Sequence, residues 1–173
     1  MIKAVVFFAV LLAAPLTFAD VVDSSPGGFG TTVTVTVNAP SGRAYAALAK
    51  IGLWWNKDHT WSGDSANLSL EARAGGCFCE RLPGGGSVQH MAVIFAAPGK
   101  MLRLSGGLGP LQDLAISGVM TFAFAEANGA TTITVTYKVG GYMPGGLTAL
   151  AKPVDAVVTE QVMRMKSYIE TSR

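Results

Sequence analysis

From Leu147 onward the chain changes period. Leu147, Leu150, Val154, Val157, Val158, Val162, Met165 and Ile169 recur at three- and four-residue steps, the spacing of a single apolar stripe on an α-helix of about six turns. Pro153 lies inside the pattern and either kinks this helix or marks its first turn. Such a stripe has to be buried, so whatever precedes it must form a surface that can receive it.

What precedes it reads mainly as strands. Thr31 to Val37 alternates Thr with Val, placing Val33, Val35 and Val37 on one face and Thr32, Thr34 and Thr36 on the other, the pattern of a half-buried strand. Asn38-Ala39-Pro40-Ser41 ends it. Ser41 is a plausible N-cap for a short helix carrying Tyr45 and Leu48, and a second short helix continues through Ile51, Leu53 and Trp54-Trp55. After a polar stretch come Leu68–Glu71, a hairpin of Cys77–Leu82 and Ser87–Ala96, then Met101–Ser105, Gly118–Ala125 and Thr131–Val139. Asn128-Gly129 is a strong turn signal between the last two. Seven antiparallel strands, two short helices after the first, and one long C-terminal helix make an α+β layered fold in which the sheet curls around the helix.

The chain of 173 residues is 50% apolar and 14% charged, with a net charge of +2. This suits one globular domain, argues against disorder and offers no basic footprint for nucleic acid. At the N-terminus, Lys3 is followed by an uninterrupted apolar run from Ala4 to Ala14 and then Pro15. That is the layout of a secretory signal. The run is too short to span a bilayer, which takes about 20 residues, so no stable membrane anchor is expected. Thr17-Phe18-Ala19 places cleavage near Ala19. The expected organisation is a signal peptide over 1–19, a loose turn-rich leader over 20–30 and one domain over 31–173, exported to the periplasm or the medium.

Export makes Cys77 and Cys79 of interest, since disulfides persist in oxidising compartments. On a flat strand, residues two apart have Cα atoms about 6.5–7 Å from each other, at or past the limit for a bridge. A mutual disulfide therefore needs a bend, which Gly75-Gly76 would allow; the spacing favours two buried free thiols.

The order of elements, with the stretches TVTVNAPSGRAYAAL, GGCFCE, AAPGKMLRLSGGLGPL and VVTEQVMRMKSYIE, resembles the Bet v 1-like superfamily, also called START-like or SRPBCC. The resemblance points to its polyketide cyclase-like and Hsp90-activator-like branches and covers about residues 31–171. It implies the helix-grip fold and a deep, mostly apolar cavity between sheet and long helix, holding a lipid-, sterol- or polyketide-like molecule. Co-chaperones of this family act inside cells, so the N-terminal signal departs from that pattern.

Small-molecule sites are concave and apolar with a few placed polar groups. Trp54, Trp55, Phe78, Tyr137, Met163 and the apolar face of the last helix are candidates for the walls, with His59 near the mouth. Glu80 and His90 lie on adjacent strands of one hairpin and are candidates for a general acid–base pair. Their facing depends on register. A four-residue loop sets Cys79 opposite His90 and Glu80 opposite Gln89. A five-residue loop sets Glu80 opposite His90 and lines Phe78, Glu80, His90 and Ala92 on one face, and this is the favoured register. The first register would put Cys77, Cys79 and His90 on one face as soft ligands, but the spacing matches no structural zinc pattern. Neither a metal nor a cofactor is assigned. Gly106-Gly107-Leu108-Gly109 is followed by Pro110 rather than a helix start, so no phosphate site is offered. The expected function is binding of an apolar small molecule in the cavity, with a cyclase- or hydrolase-type enzyme using Glu80 and His90 as the alternative, and a protein-interaction module as a second alternative. No protein partner is indicated.

Overall fold

A computed structural model describes residues 18–172. The strands are β1 (Phe18–Ser25), β2 (Gly28–Val37), β3 (Leu68–Leu70), β4 (Cys77–Arg81), β5 (Ser87–Ala97), β6 (Met101–Gly106), β7 (Ile116–Ala127) and β8 (Ala130–Gly141). They form one antiparallel sheet in the order β1-β2-β8-β7-β6-β5-β4-β3. Helix α1 covers Ser41–Ala49 and α2 covers Ala151–Thr171.

The sheet has eight strands where the sequence pattern indicates seven. The addition is β1, formed by residues read as a loose leader. Pro26-Gly27 is a hairpin turn, with Ser25 opposite Gly28 and Asp20 opposite Thr32. Turn-rich composition was the true signal; it marks a reversal between two strands rather than an unstructured lead-in. The expected signal segment lies outside the described residues except for Phe18 and Ala19, which begin β1.

The Thr/Val alternation sorts as its period requires. Val33, Val35 and Val37 face inward, opposite Val135, Ile133 and Thr131 of β8. Outside, Thr34 and Thr134 bring their hydroxyls to 3.4 Å across the same strand pair. Asn128 and Gly129 both have positive φ, which is the geometry of the tightest hairpin turns and the reason for that residue pair.

Helix α2 buries Val158, Val162, Met165 and Ile169 against the concave face. Pro153 is its third residue, where the missing N–H has no intrahelical acceptor to lose. The helix is tied at its flanks. Lys166 Nζ donates to the Thr36 carbonyl (2.6 Å) and Arg164 Nε to the Trp54 carbonyl (2.8 Å). Ser41 is the first residue of α1 rather than its cap; its N–H donates to the Glu126 carboxylate instead (2.8 Å). The second expected short helix is a single 3₁₀ turn, Ile51–Leu53.

Candidate functional site

The site begins with an irregularity in the β4–β5 hairpin. Arg81 faces Ser87, Glu80 faces Val88 and Cys79 faces Gln89, but the next pair is Phe78 with Met91. His90 is therefore one residue more than β4 can match: a β-bulge, which turns two consecutive side chains to one side and re-aims the strand. His90 and Met91 are both buried as a result. Neither register considered from the sequence holds along the whole hairpin: near the turn Arg81 pairs with Ser87, which neither allows, and only past the bulge do Phe78–Met91 and Cys77–Ala92 follow the register of the four-residue loop. The observed arrangement still gathers Phe78, Glu80 and His90 on the inner face, and the bulge sends Ala92 to the other side.

His90 Nε2 lies 2.9 Å from Glu80 Oε2. The Glu80 carboxylate also accepts the N–H groups of Trp61 (3.1 Å) and Ser62 (2.5 Å). Burial alone would push this carboxyl up, but the hydrogen bonds from Ser62, Trp61 and His90 outweigh it and hold the group below its ordinary value. For His90, burial depresses the imidazole and the neighbouring Glu80 offsets this only in part. At neutral pH the pair is thus an ionised carboxylate accepting Nε2–H from a neutral imidazole. The tautomer is fixed by the carboxylate, and Nδ1 carries the lone pair. Phe78 covers the imidazole, with ring centroids 4.8 Å apart, and Trp55 packs edge-on to Phe78 at 5.4 Å.

The loop after Trp55 forms one wall over this pair. Asn56 caps a 3₁₀ turn, Lys57–His59, by accepting the Asp58 N–H. It also reaches α2, with its N–H on Gln161 Oε1 (2.8 Å) and its Nδ2 on Glu160 Oε1 (2.5 Å). His59 Nε2 sits 3.2 Å from the other Glu160 oxygen. The loop is therefore pinned to α2 at one side and to Glu80 on β4 at the other. A second wall comes from residues 107–115, where the Tyr137 hydroxyl donates to the Gly106 carbonyl (3.1 Å) and accepts the Leu108 N–H (3.4 Å). Gly118 makes room for that tyrosine; a Cβ there would meet its ring at 2.7 Å.

Between these walls and the first turns of α2 is a cavity of about 350 Å³. Trp55, Trp61, Leu111, Val154, Val157 and Val158 supply apolar lining, His90 lies on its wall, and Asp58, His59 and Thr60 belong to the wall nearest solvent. A larger open depression of about 510 Å³ lies near the opposite edge of the sheet, against Asp23, Thr32, Thr136 and Lys138. It holds no part of the Glu80–His90 pair.

No family model matches the sequence, and no curated protein matches it. Solved structures do. CalU16 from Micromonospora echinospora superposes with a TM-score of 0.62 over 94% of this chain and 79% of its own, at 12% identity. A conserved protein of unknown function from Enterococcus faecalis, EF2215, gives 0.58 over 90% and 77%, at 16% identity. DynU16, a protein in the dynemicin biosynthetic locus, gives 0.56 over 83% of this chain and 48% of its own, at 20% identity. The chain has the helix-grip fold. At these identities the likeness concerns architecture alone.

Within the helix-grip frame the candidate residues separate into three groups. Glu80, His90, Phe78 and Trp55 form one connected cluster, and His59 stands on the loop wall paired to Glu160. Trp54 and Tyr137 are buried but support the walls from behind: Trp54 donates its indole N–H to the Ala47 carbonyl and packs at a tilt against Trp55, and Tyr137 holds the 107–115 loop. Met163 is a correction. It is 38% exposed on α2, one residue off the buried stripe that Val162 occupies, so helical phase turns it away from the cavity.

The cysteines are a second correction. Cys77 and Cys79 are joined in a disulfide, with Cα atoms 5.4 Å apart, closer than a flat strand allows. The contraction of β4 lies beside the bulge in β5, and the bridge sits half-buried on the side of the sheet opposite His90. A soft-ligand set of Cys77, Cys79 and His90 therefore does not form. Among the described residues no three His, Cys, Asp or Glu side chains assemble as a metal site. The residues that the sequence pattern does not single out are Asn56, Trp61, Glu160 and Gln161. The last two differ from stripe residues only by polarity on the same helix, and no local signal marks which loop they meet.

Proposed function

We propose that this chain is an exported small-molecule-binding protein of the SRPBCC type, holding an apolar ligand in the cavity between the 56–62 loop, the 107–115 loop and the start of α2. The observation that carries this reading is the cavity itself: about 350 Å³, walled by tryptophan, leucine and valine, with one buried polar pair at its side. Sites for small organic molecules combine these features. The Cys77–Cys79 bridge supports an oxidising compartment, in line with the signal-like N-terminus.

The test is native mass spectrometry of the exported protein purified without detergent, beside the same sample denatured. Bound ligand appears as added mass that disappears on denaturation and is absent from Val157→Phe, whose larger side chain occupies the cavity. A bare mass in the wild type, together with no uptake of any aromatic probe, removes the binding reading.

A second reading is favoured by one observation, the neutral imidazole fixed by a buried carboxylate. That is the arrangement of a general base oriented by its partner, as a cyclase or hydrolase would use. In that case substrate turns over rather than accumulating. His90→Gln then lowers turnover by roughly 10²-fold or more while the folded protein persists.

A further inference from the structure

We infer that the cavity selects an apolar molecule carrying one hydrogen-bond donor at its buried end, a phenol, enol or alcohol, and that His90 Nδ1 accepts this hydrogen. The inference rests on the binding reading above and adds to it the polar end of the ligand.

Nε2 is occupied by Glu80 at 2.9 Å. Phe78 lies against the ring. Nδ1 has no hydrogen-bond partner among the described residues, although His90 is only 5% exposed and stands on the cavity wall. Nδ1 is not one of the side-chain atoms sealed in the interior without a partner, and its ring borders the cavity, so a donor on a ligand held there can reach it.

The three hydrophilic side chains beside His90 in the lining are engaged near its rim; of the two indole N–H groups, that of Trp55 donates to the His59 carbonyl and that of Trp61 belongs to a half-exposed ring open to solvent. Asp58 pairs with Lys57, His59 with Glu160, and the Thr60 hydroxyl donates to the Lys57 carbonyl. None of them needs a ligand. The sign of the preference is equally determined. With Nε2–H committed to a carboxylate, Nδ1 offers a lone pair and no proton, and the Glu80 charge lies directly behind it. A ligand carboxylate or ketone oxygen placed there meets an acceptor and a negative charge, so both are rejected. Burial keeps the imidazole neutral and preserves this polarity.

The decisive comparison uses three probes with one ring system: 2-naphthol, 2-methylnaphthalene and naphthalene-2-carboxylate. Hydrophobic burial alone ranks the methyl compound first, since it is the least soluble. Donor recognition reverses that order, and the expected result is 2-naphthol binding at least about tenfold more tightly than either analogue. In ¹⁵N-labelled protein the Nδ1 resonance of His90 should move on addition of 2-naphthol and stay in place with 2-methylnaphthalene. If the methyl compound binds as well or better, and Val157→Phe abolishes both, the cavity is a binding site and the donor-selective anchor is wrong. A preference for naphthol with an unmoved Nδ1 resonance also overturns it, because another group then makes the contact. Tightest binding by the carboxylate does the same. Binding of none of the three removes the cavity reading and the inference together.

Discussion

His90 donates to the Glu80 carboxylate without being its cross-strand partner. Glu80 faces Val88, and His90 reaches it because the bulge adds a residue to β5 between the Cys79–Gln89 and Phe78–Met91 pairs. The contact therefore depends on backbone geometry as much as on the two side chains, and it joins three things: the hairpin, the loop at Trp61–Ser62 and the cavity wall.

Acid should destabilise the protein in two stages. Burial holds His90 below its ordinary value, so the unfolded chain binds a proton that the folded one refuses. Stability then falls as pH drops below about 6.5 toward the folded-state value, by at most about 1.4 kcal/mol per pH unit. Glu80 is also held low, so its contribution is present above about 4.3 and is lost as pH falls through its folded-state value. Urea midpoints at pH 7.5, 5.5 and 3.5 resolve the stages. His90→Gln, which keeps an N–H for Glu80, should lack the first; an unchanged loss between pH 7.5 and 5.5 would assign it elsewhere.

Glu80→Ala leaves the N–H groups of Trp61 and Ser62 and the imidazole of His90 unpaired, and it should cost about 3 kcal/mol or more. Glu80→Gln should cost about 2 kcal/mol, because its amide presents a donor where all three partners also donate. Denaturant titration measures both. A loss below about 1 kcal/mol for Glu80→Ala would mean that the loop is held by its α2 contacts alone.

Replacing both cysteines, Cys77→Ser and Cys79→Ser together, should lower stability by only about 1–2 kcal/mol, since a ring closed over so few residues restricts the unfolded chain little. Affinity for 2-naphthol should stay within about threefold, the bridge being on the other side of the sheet from the cavity. A loss beyond tenfold would show that the bridge fixes the bulge that presents His90.

Glu160 binds Asn56 and His59 through its two oxygens at a half-exposed position. Glu160→Ala should change stability by less than about 1 kcal/mol yet remove two of the loop's three hydrogen bonds to α2, leaving only the Asn56 N–H on Gln161. Stopped-flow dissociation of 2-naphthol should accelerate by about threefold to tenfold, the usual route by which such contacts act. An unaltered rate would place ligand exit at the 107–115 loop instead.

Periodicity carried the architecture. The Thr/Val strand, the Asn128-Gly129 turn and the stripe from Val158 to Ile169 are local patterns whose physical meaning is the same in any context, and each appears as its spacing requires. The site was legible in composition but not in assembly. That Glu80, His90 and Phe78 share a face is read from a regular register that the hairpin does not use; the bulge at His90 brings the three together instead, and a bulge has no signature in β-branched or turn residues here. The loop anchors Glu160 and Gln161 are polar residues beside an apolar stripe, and their meaning comes from Asn56, over a hundred residues away in sequence. β1 was hidden for a different reason: Ser-Pro-Gly punctuation is shared by hairpins and by loose segments.

Strand β5 departs from its neighbours twice, at His90 against β4 and at Ile94 against β6. The first surplus residue leaves two adjacent side chains indoors, the second leaves Ile94 and Phe95 outdoors, and after both the in–out rhythm is back in step, with Ala96 opposite the core residue Leu102. A polar group can enter a packed interior by this route without evicting any residue already there. Insertion, not replacement, is then the step that would convert a plain helix-grip wall into one with chemistry, and relatives lacking the polar pair are expected to be one residue shorter at this point of the strand.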